Sequence, residues 1–290
     1  MKKATLLYPC HDQTGEAATW LSGQRLFMWV DIDNGTLHRL EPGGKVSDFS
    51  FPEMVTAIVP WSGHGDEVVV AMKNRIVAYN FRQNSFHTLI DFVTLHPDWR
   101  TNDCKASPDG RLFCGIMNMH DHDANASVIR VDHDGTVNEV LAGQSIPNGM
   151  VWHDGHMYYA DSGRHCIEEY TYDEDSGATT FARTLVEVPA DMGVPDGMTL
   201  DSEGNLWVAL WGGSAVGIWE TQGGRLKGKV EVPVPLVASC TFDDDGRLLI
   251  TTARDGLSAG DLARYPLSGS LFMAQTSGVT PGCNHFPLIY

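Results

Sequence analysis

The stretch Pro108-Asp-Gly-Arg-Leu-Phe-Cys-Gly-Ile116 reads as a tight turn that releases a short apolar strand, and the chain repeats this pattern. Equivalent turns are Ser22-Gly-Gln24, Gly63-His-Gly-Asp66, His153-Asp-Gly155, Ser202-Glu-Gly204 and Asp244-Asp-Gly246, which makes six in all. Their glycines (Gly23, Gly65, Gly110, Gly155, Gly204 and Gly246) are separated by 42, 45, 45, 49 and 42 residues. A unit of about 40–50 residues that opens on a turn and a β-rich run has the period of a propeller blade.

The runs after these turns, such as Leu26-Phe-Met-Trp-Val-Asp31, Met157-Tyr-Tyr-Ala-Asp161, Leu206-Trp-Val-Ala-Leu210 and Leu248-Leu-Ile-Thr-Thr252, are β-branched or aromatic and too short for helices. Further strands follow or precede tight turns, as at Asn34-Gly35 before Leu37-His-Arg-Leu40 and at Val128-Ile-Arg-Val131 before Asp134-Gly135. Each repeat is therefore a small antiparallel meander. Long amphipathic helical patterns and Pro/Gly/Ser-rich linkers are missing, which argues against alternating helix and strand and against two domains. The expected fold is all-β, a six-bladed β-propeller of four-stranded antiparallel blades around a central channel, forming one domain over residues 1–290. A ring lets each blade bury its faces against its neighbours, and residues Leu6 to Tyr8 are expected to complete the last blade beside the C-terminal strand.

Lys plus Arg total 20 against 37 Asp plus Glu, a net charge of -17. That balance argues against partners that are polyanionic, either nucleic acid or an anionic membrane. The opening Met1-Lys-Lys-Ala-Thr-Leu-Leu-Tyr8 reaches His11 and Asp12 before a secretory apolar run can form, and no stretch approaches a membrane span. The 6 cysteines (Cys10, Cys104, Cys114, Cys166, Cys240, Cys283) include no Cys-x-x-Cys pair. They are expected to be reduced and mostly buried thiols in a cytoplasmic protein that is a monomer or a weak homo-oligomer.

Unusual polar residues recur seven or eight positions before the turn glycines: Glu16, Asn102 with Asp103, Asn148, Asp196 and Ser239. Equivalent positions in repeats occupy equivalent places about the axis, so these groups are expected to face a common centre. The matching segment of the second repeat, Met54-Val-Thr-Ala-Ile58, is largely apolar and reads as a wall. Taken alone, the Asn-Gly and Asp-Gly pairs at 148–149 and 196–197 would be turn formers. The shared offset favours a site instead. Glu16, Asn148 and Asp196 supply two carboxylates and an amide oxygen, suited to one divalent metal ion such as Ca²⁺, Mg²⁺ or Mn²⁺, while Zn²⁺ and Fe²⁺ also accept carboxylates.

The segments Gly15-Glu16, Arg100-Thr-Asn-Asp103, Ile146-Pro-Asn-Gly-Met150, Pro195-Asp-Gly-Met198, Ser239-Cys-Thr-Phe242 and Thr251-Thr-Ala-Arg-Asp-Gly-Leu257 resemble the regucalcin/gluconolactonase (senescence marker protein) family over essentially the full chain. The resemblance implies a metal-dependent lactonase that hydrolyses a sugar lactone to the aldonic acid in carbohydrate catabolism. It further implies that Glu16, Asn148 and Asp196 bind the metal, that Asp196 doubles as general acid/base, and that Arg100 and Asn102 hold the substrate. Two departures are visible: the family's Gly-Glu-Gly-Pro opening is Gly15-Glu16-Ala17-Ala18 here, and His120 stands where the family can carry a substrate-binding Glu.

Competing motifs are weaker. His120-Asp-His-Asp123 lacks the closing Asp-His of metallo-β-lactamase-like lactonases and reads as an exposed loop, with His120 retained as a pocket residue. Gly212-Gly-Ser-Ala-Val216 is not Gly-x-Ser-x-Gly, and the Asp-rich segments at 31–35 and 243–246 lack the length and closing Glu of a calcium loop. Trp20, Trp152 and Trp207 are expected to pack between blades and Trp211 to reach a rim. The alternatives are a calcium-binding propeller and a phosphotriesterase-like hydrolase on the same scaffold.

Overall fold

The computed structural model describes residues 2–61, 63–92, 96–276 and 279–282, so Cys283 lies outside the described residues. Its strands form six sheets. Blade 1 comprises Gly15–Leu21, Leu26–Asp31, Thr36–Leu40 and Val46–Ser50, and the chain continues blade by blade. The innermost strands of blades 2 to 6 are Val55–Pro60, Trp99–Ala106, Pro147–His153, Val194–Leu200 and Val237–Phe242. Each innermost strand contacts those of the two adjacent blades, and the last returns to the first, which closes a six-bladed propeller. No helix among the described residues is long and apolar enough to cross a membrane.

The second strand of every blade is buried on both faces, which is why Leu26–Asp31, Leu112–Asn118 and Asn205–Trp211 are near-continuous apolar runs instead of alternating ones. Aromatic side chains fill the wedge between blades: Phe113, Trp152 and Tyr172 form edge-to-face pairs across blades 3 and 4, and Trp207 meets Phe242 across blades 5 and 6.

The ring is sealed by the N-terminus. Thr5–Tyr8 pairs antiparallel with Leu271–Gln275 as the outermost strand of blade 6, as expected from Leu6 to Tyr8. One addition was not foreseen: Lys2–Lys3 pairs in parallel with Leu226–Glu231, giving blade 5 a fifth strand. The chain must pass the outer edge of blade 5 to reach blade 6, and its backbone groups pair there with an otherwise open edge.

All six innermost strands break register with their neighbours: between Glu16 and Thr19, Val55 and Ala57, Thr101 and Cys104, Pro147 and Met150, Pro195 and Met198, and Val237 and Ser239. A bulge re-aims side chains that a regular ladder would direct alternately into the neighbouring blades. Asn102, Asp103, Asn148 and Asp196 all lie within these breaks, and Glu16 opens one. The turn glycines that set the period follow the far ends of the same strands, on the opposite face of the ring.

Two buried aspartates fix where innermost strands begin. Asp31 accepts the backbone N–H of Gln13 (3.0 Å) and Thr14 (3.2 Å), just before Glu16. Asp161, fully buried, accepts those of Ser145 (2.8 Å) and Ile146 (3.0 Å), just before Asn148. Replacing Asp161 with Ala strands these donors without partners, so Asp161→Ala should cost about 2–4 kcal/mol in denaturant unfolding. Asp161→Asn, which keeps one acceptor oxygen, should lose clearly less.

Candidate active site and metal centre

The innermost strands bring Glu16, Arg100, Asn102, Asn148 and Asp196 to one cavity of about 460 Å³ at the mouth of the channel. His120 lines it from an exposed loop, with its Nε2 3.9 Å from Asp98 Oδ1. Met54 supplies part of the apolar wall expected from blade 2, and Trp211 stands half-exposed at the edge.

The crowding explains the glycines after two of these residues. A Cβ on Gly149 would sit 2.6 Å from the Asp196 carbonyl oxygen, and one on Gly197 would sit 2.4 Å from Ser239 Oγ. Neither Asn148-Gly149 nor Asp196-Gly197 is a turn; both lie in innermost strands that approach each other too closely for a side chain at the second position. In blade 1 the corresponding place is taken by Ala17 with φ of 54°, a left-handed conformation that favours glycine and costs an alanine roughly 1 kcal/mol. Its N–H donates to Glu16 Oε2 at 2.7 Å, which orients that carboxylate.

Asn148 is held by its amide nitrogen, which donates to Ser162 Oγ (2.9 Å), while the Ser162 hydroxyl donates to the Pro195 carbonyl (2.6 Å). This chain ties blade 4 to blade 5 and assigns the Asn148 oxygen as the free end of the amide. Asp196 is buried, and its Oδ1 has no hydrogen-bond partner among the described residues. Burial, then the charge of Asp103, pushes Glu16 up from 4.5 to about 7 against the lowering effects of the Ala17 N–H and of Lys105. Burial, then the charges of Glu16 and Asp103, hold Asp196 well above the usual carboxylate range. Two buried carboxylates facing each other with one orphaned oxygen fit a bound cation, which would relieve their repulsion. Among the described residues no three His, Cys, Asp or Glu side chains converge as a metal site, so a cation here must draw its third protein ligand from an amide, and Asn148 is the amide in place.

Arg100 extends along the cavity and donates to Asn102 Oδ1 (2.5 Å) and to the Thr101 carbonyl (2.9 Å). Burial pushes its guanidinium down from its ordinary value, while Asp33, Glu16, Asp196 and Asp255 act to keep it charged. Asn102 donates in turn to the Pro147 carbonyl (2.6 Å), so each end of its amide has one protein partner and its oxygen steadies Arg100.

Two residues expected at the centre are placed elsewhere. Asp103 is buried off the cavity, with Lys105 Nζ 3.4 Å from its Oδ1, and Ser239 packs behind Gly197. Sequence reasoning missed Thr14, Asp33, His122 and Asp255, which line the mouth from loops on the other side of the blades. Their offsets from the turn glycines do not repeat, so no period marks them. Five described cysteines are free, Cys10 partly buried and the others buried, as expected.

A family model described as the SMP-30/Gluconolactonase/LRE-like region matches residues 14–254. The chain is 34% identical over 268 residues to the pentonolactonase XacC of Haloferax volcanii, covering 89% of each chain. It is 30% identical over 275 residues to regucalcin of Danio rerio, covering 92% of each. Among solved structures, a luciferin-regenerating enzyme superposes with a TM-score of 0.89 at 26% identity, over 96% of both chains. The geometry of the ring and the order of its innermost-strand motifs agree with these matches, and the chain belongs to the SMP-30/gluconolactonase/LRE-like family.

Proposed function

We propose that this chain is a single-domain hydrolase that opens a sugar lactone to its aldonic acid with the help of one divalent metal ion. The observation that carries the reading is the buried Glu16 and Asp196 pair, with its unpartnered Asp196 oxygen, beside the Asn148 amide and under the Arg100 guanidinium in one cavity. Membership of the family and the pentonolactonase relative support the lactone as substrate class.

A lactone is an internal ester, so its hydrolysis needs a polarised acyl oxygen, an attacking water and a proton for the departing ring oxygen. When bound by Glu16, Asn148 and Asp196, a hard divalent cation supplies Lewis-acid polarisation and a lowered pKa for water. Asp196 takes the proton from the attacking water as its oxygen bonds to the acyl carbon, and returns it to the ring oxygen as the acyl C–O bond breaks. Arg100 donates to the substrate's oxygens, and Asn102 fixes the guanidinium from behind. His120, exposed at the mouth, reads hydroxyls at the outer end of the ring. A bare cation store would leave the Arg100 and Asn102 pair without a use, which favours an enzyme over a calcium-binding propeller.

The test is acid release from a panel of aldonolactones by chelator-stripped protein, with each divalent metal restored in turn. Asp196→Asn should lower kcat by about 10³-fold in the presence of metal. Arg100→Ala should act mainly on KM. Turnover of aryl phosphotriesters in preference to lactones would favour the phosphotriesterase-like alternative.

The electrostatics give a second test with a defined sign. Both carboxylate shifts are upward, so the metal-free fold keeps protons that the unfolded chain releases above pH 4.5. Its stability therefore falls as pH rises through about 7 and beyond. A cation competes with those protons, so the gain in Tm on adding metal should be small at pH 5 and grow to pH 8. Asp196→Asn should raise the metal-free Tm at pH 8 and abolish most of the metal-dependent gain, read by calorimetry.

A further inference from the structure

The mouth of the cavity carries charges that the hydrolytic step does not use. Among the described residues four carboxylates line it (Glu16, Asp33, Asp196 and Asp255) against one guanidinium, Arg100, and no lysine. With a divalent cation bound and all four carboxylates ionised, the lining is still one charge negative. Deep in the same cavity the buried Asp196 Oδ1 has no partner, so this is a space with unmet polar groups and not a solvated acidic surface alone.

Asp33 and Asp255 flank the strand that carries Glu16. Asp33 Oδ2 accepts from the Thr14 hydroxyl at 2.6 Å, and Asp255 Oδ1 accepts from Gln13 Nε2 at 3.0 Å. The Gln13 carbonyl in turn accepts the backbone N–H of Arg254 and of Asp255, each at 2.9 Å. Each carboxylate is thus oriented through one oxygen, which leaves the other to accept a hydrogen bond. An ionised carboxylate accepts and cannot donate, so the pair suits hydroxyl protons and opposes any anionic group. Asp33 is also the foremost of the charges that sustain the Arg100 cation, which places its field across the substrate's space.

We propose that Asp33 and Asp255 are specificity residues that accept hydrogen bonds from substrate hydroxyls and exclude anionic ends, so that the enzyme takes uncharged, unphosphorylated polyhydroxy lactones. The inference rests on the lactone reading above and narrows its substrate class. The same field acts on the product, because ring opening converts a neutral ester into a carboxylate and its release is then favoured by repulsion.

The experiment compares glucono-1,4-lactone with glucaro-1,4-lactone, which share a ring and differ by a hydroxymethyl or a carboxylate at the far end. With metal-replete wild type at pH 8 and low salt, kcat/KM should favour the neutral lactone by at least about 10-fold, and added salt should narrow the gap. Asp33→Asn and Asp255→Asn, close in shape to the native residues and checked by thermal melting, should each narrow it by about 3-fold, mainly by improving the anionic substrate. Two separate variants guard against one that fails to fold. Equal turnover of both lactones by wild type, or a gap unmoved in both folded variants, would overturn the proposal while leaving the lactonase reading intact. Turnover of neither lactone, nor of any other in the aldonolactone panel, would overturn both.

Discussion

Six strands run side by side around one axis, and the space between them is too narrow for ordinary side chains at every position. That steric constraint organises the rest of the molecule. Gly149 and Gly197 are required where neighbouring backbones nearly touch, and each strand relieves the crowding with a bulge at its upstream part. The bulges turn Asn148 and Asp196 out of the ladder and toward the channel. A carboxylate or amide placed there has few protein partners available, and this geometry produces the orphaned oxygen of Asp196. Packing between blades, supplied by both faces of the second strands and by aromatic wedges, supports the inner ring and keeps it from relaxing.

Electrostatics follow from that placement. Glu16 and Asp196 meet where water is scarce: burial raises the proton affinity of both, the charge of Asp103 raises both further, and the charge of Glu16 raises that of Asp196. A protein that gained nothing from this arrangement would be better served by apolar residues of similar volume. The hydrogen bonds around the pair are built to hold it: Ala17 N–H orients Glu16, Ser162 fixes Asn148 and links it to the Asp196 strand, and Asp161 and Asp31 clamp the entry of their strands. Asn102 does the same for Arg100. The residues that could touch a substrate are thus backed by residues whose own partners are already satisfied, the condition for a preorganised site.

The chain's family relations and its geometry describe one object from two sides. The innermost strands carry Glu16, Arg100, Asn102, Asn148 and Asp196, and the loops between second and third strands carry Asp33, His120, His122 and Asp255. The groups proposed for the chemistry therefore sit on the rigid inner ring, and the groups proposed to meet the outer end of the substrate sit on loops.

The sequence by itself determined the number of blades, their antiparallel order, the closing N-terminal strand and the inward Glu16, Asn102, Asn148 and Asp196, while Arg100 entered through the family resemblance. Repeats state their period in the spacing of turn glycines, and a shared offset places residues on the same stretch of each innermost strand, though not every such side chain reaches the cavity. Only the tertiary structure decided that Asp103 lies off the cavity beside Lys105, that Ser239 packs against Gly197, and that Asn102 accepts from Arg100 while donating to the Pro147 carbonyl. It also decided that Lys2–Lys3 adds a strand to blade 5 and that Asp33 and Asp255 frame the mouth. These outcomes depend on how far a bulge rotates one side chain and on where non-repeating loops fold back. Both are set by contacts between residues distant in the chain, which no local pattern encodes.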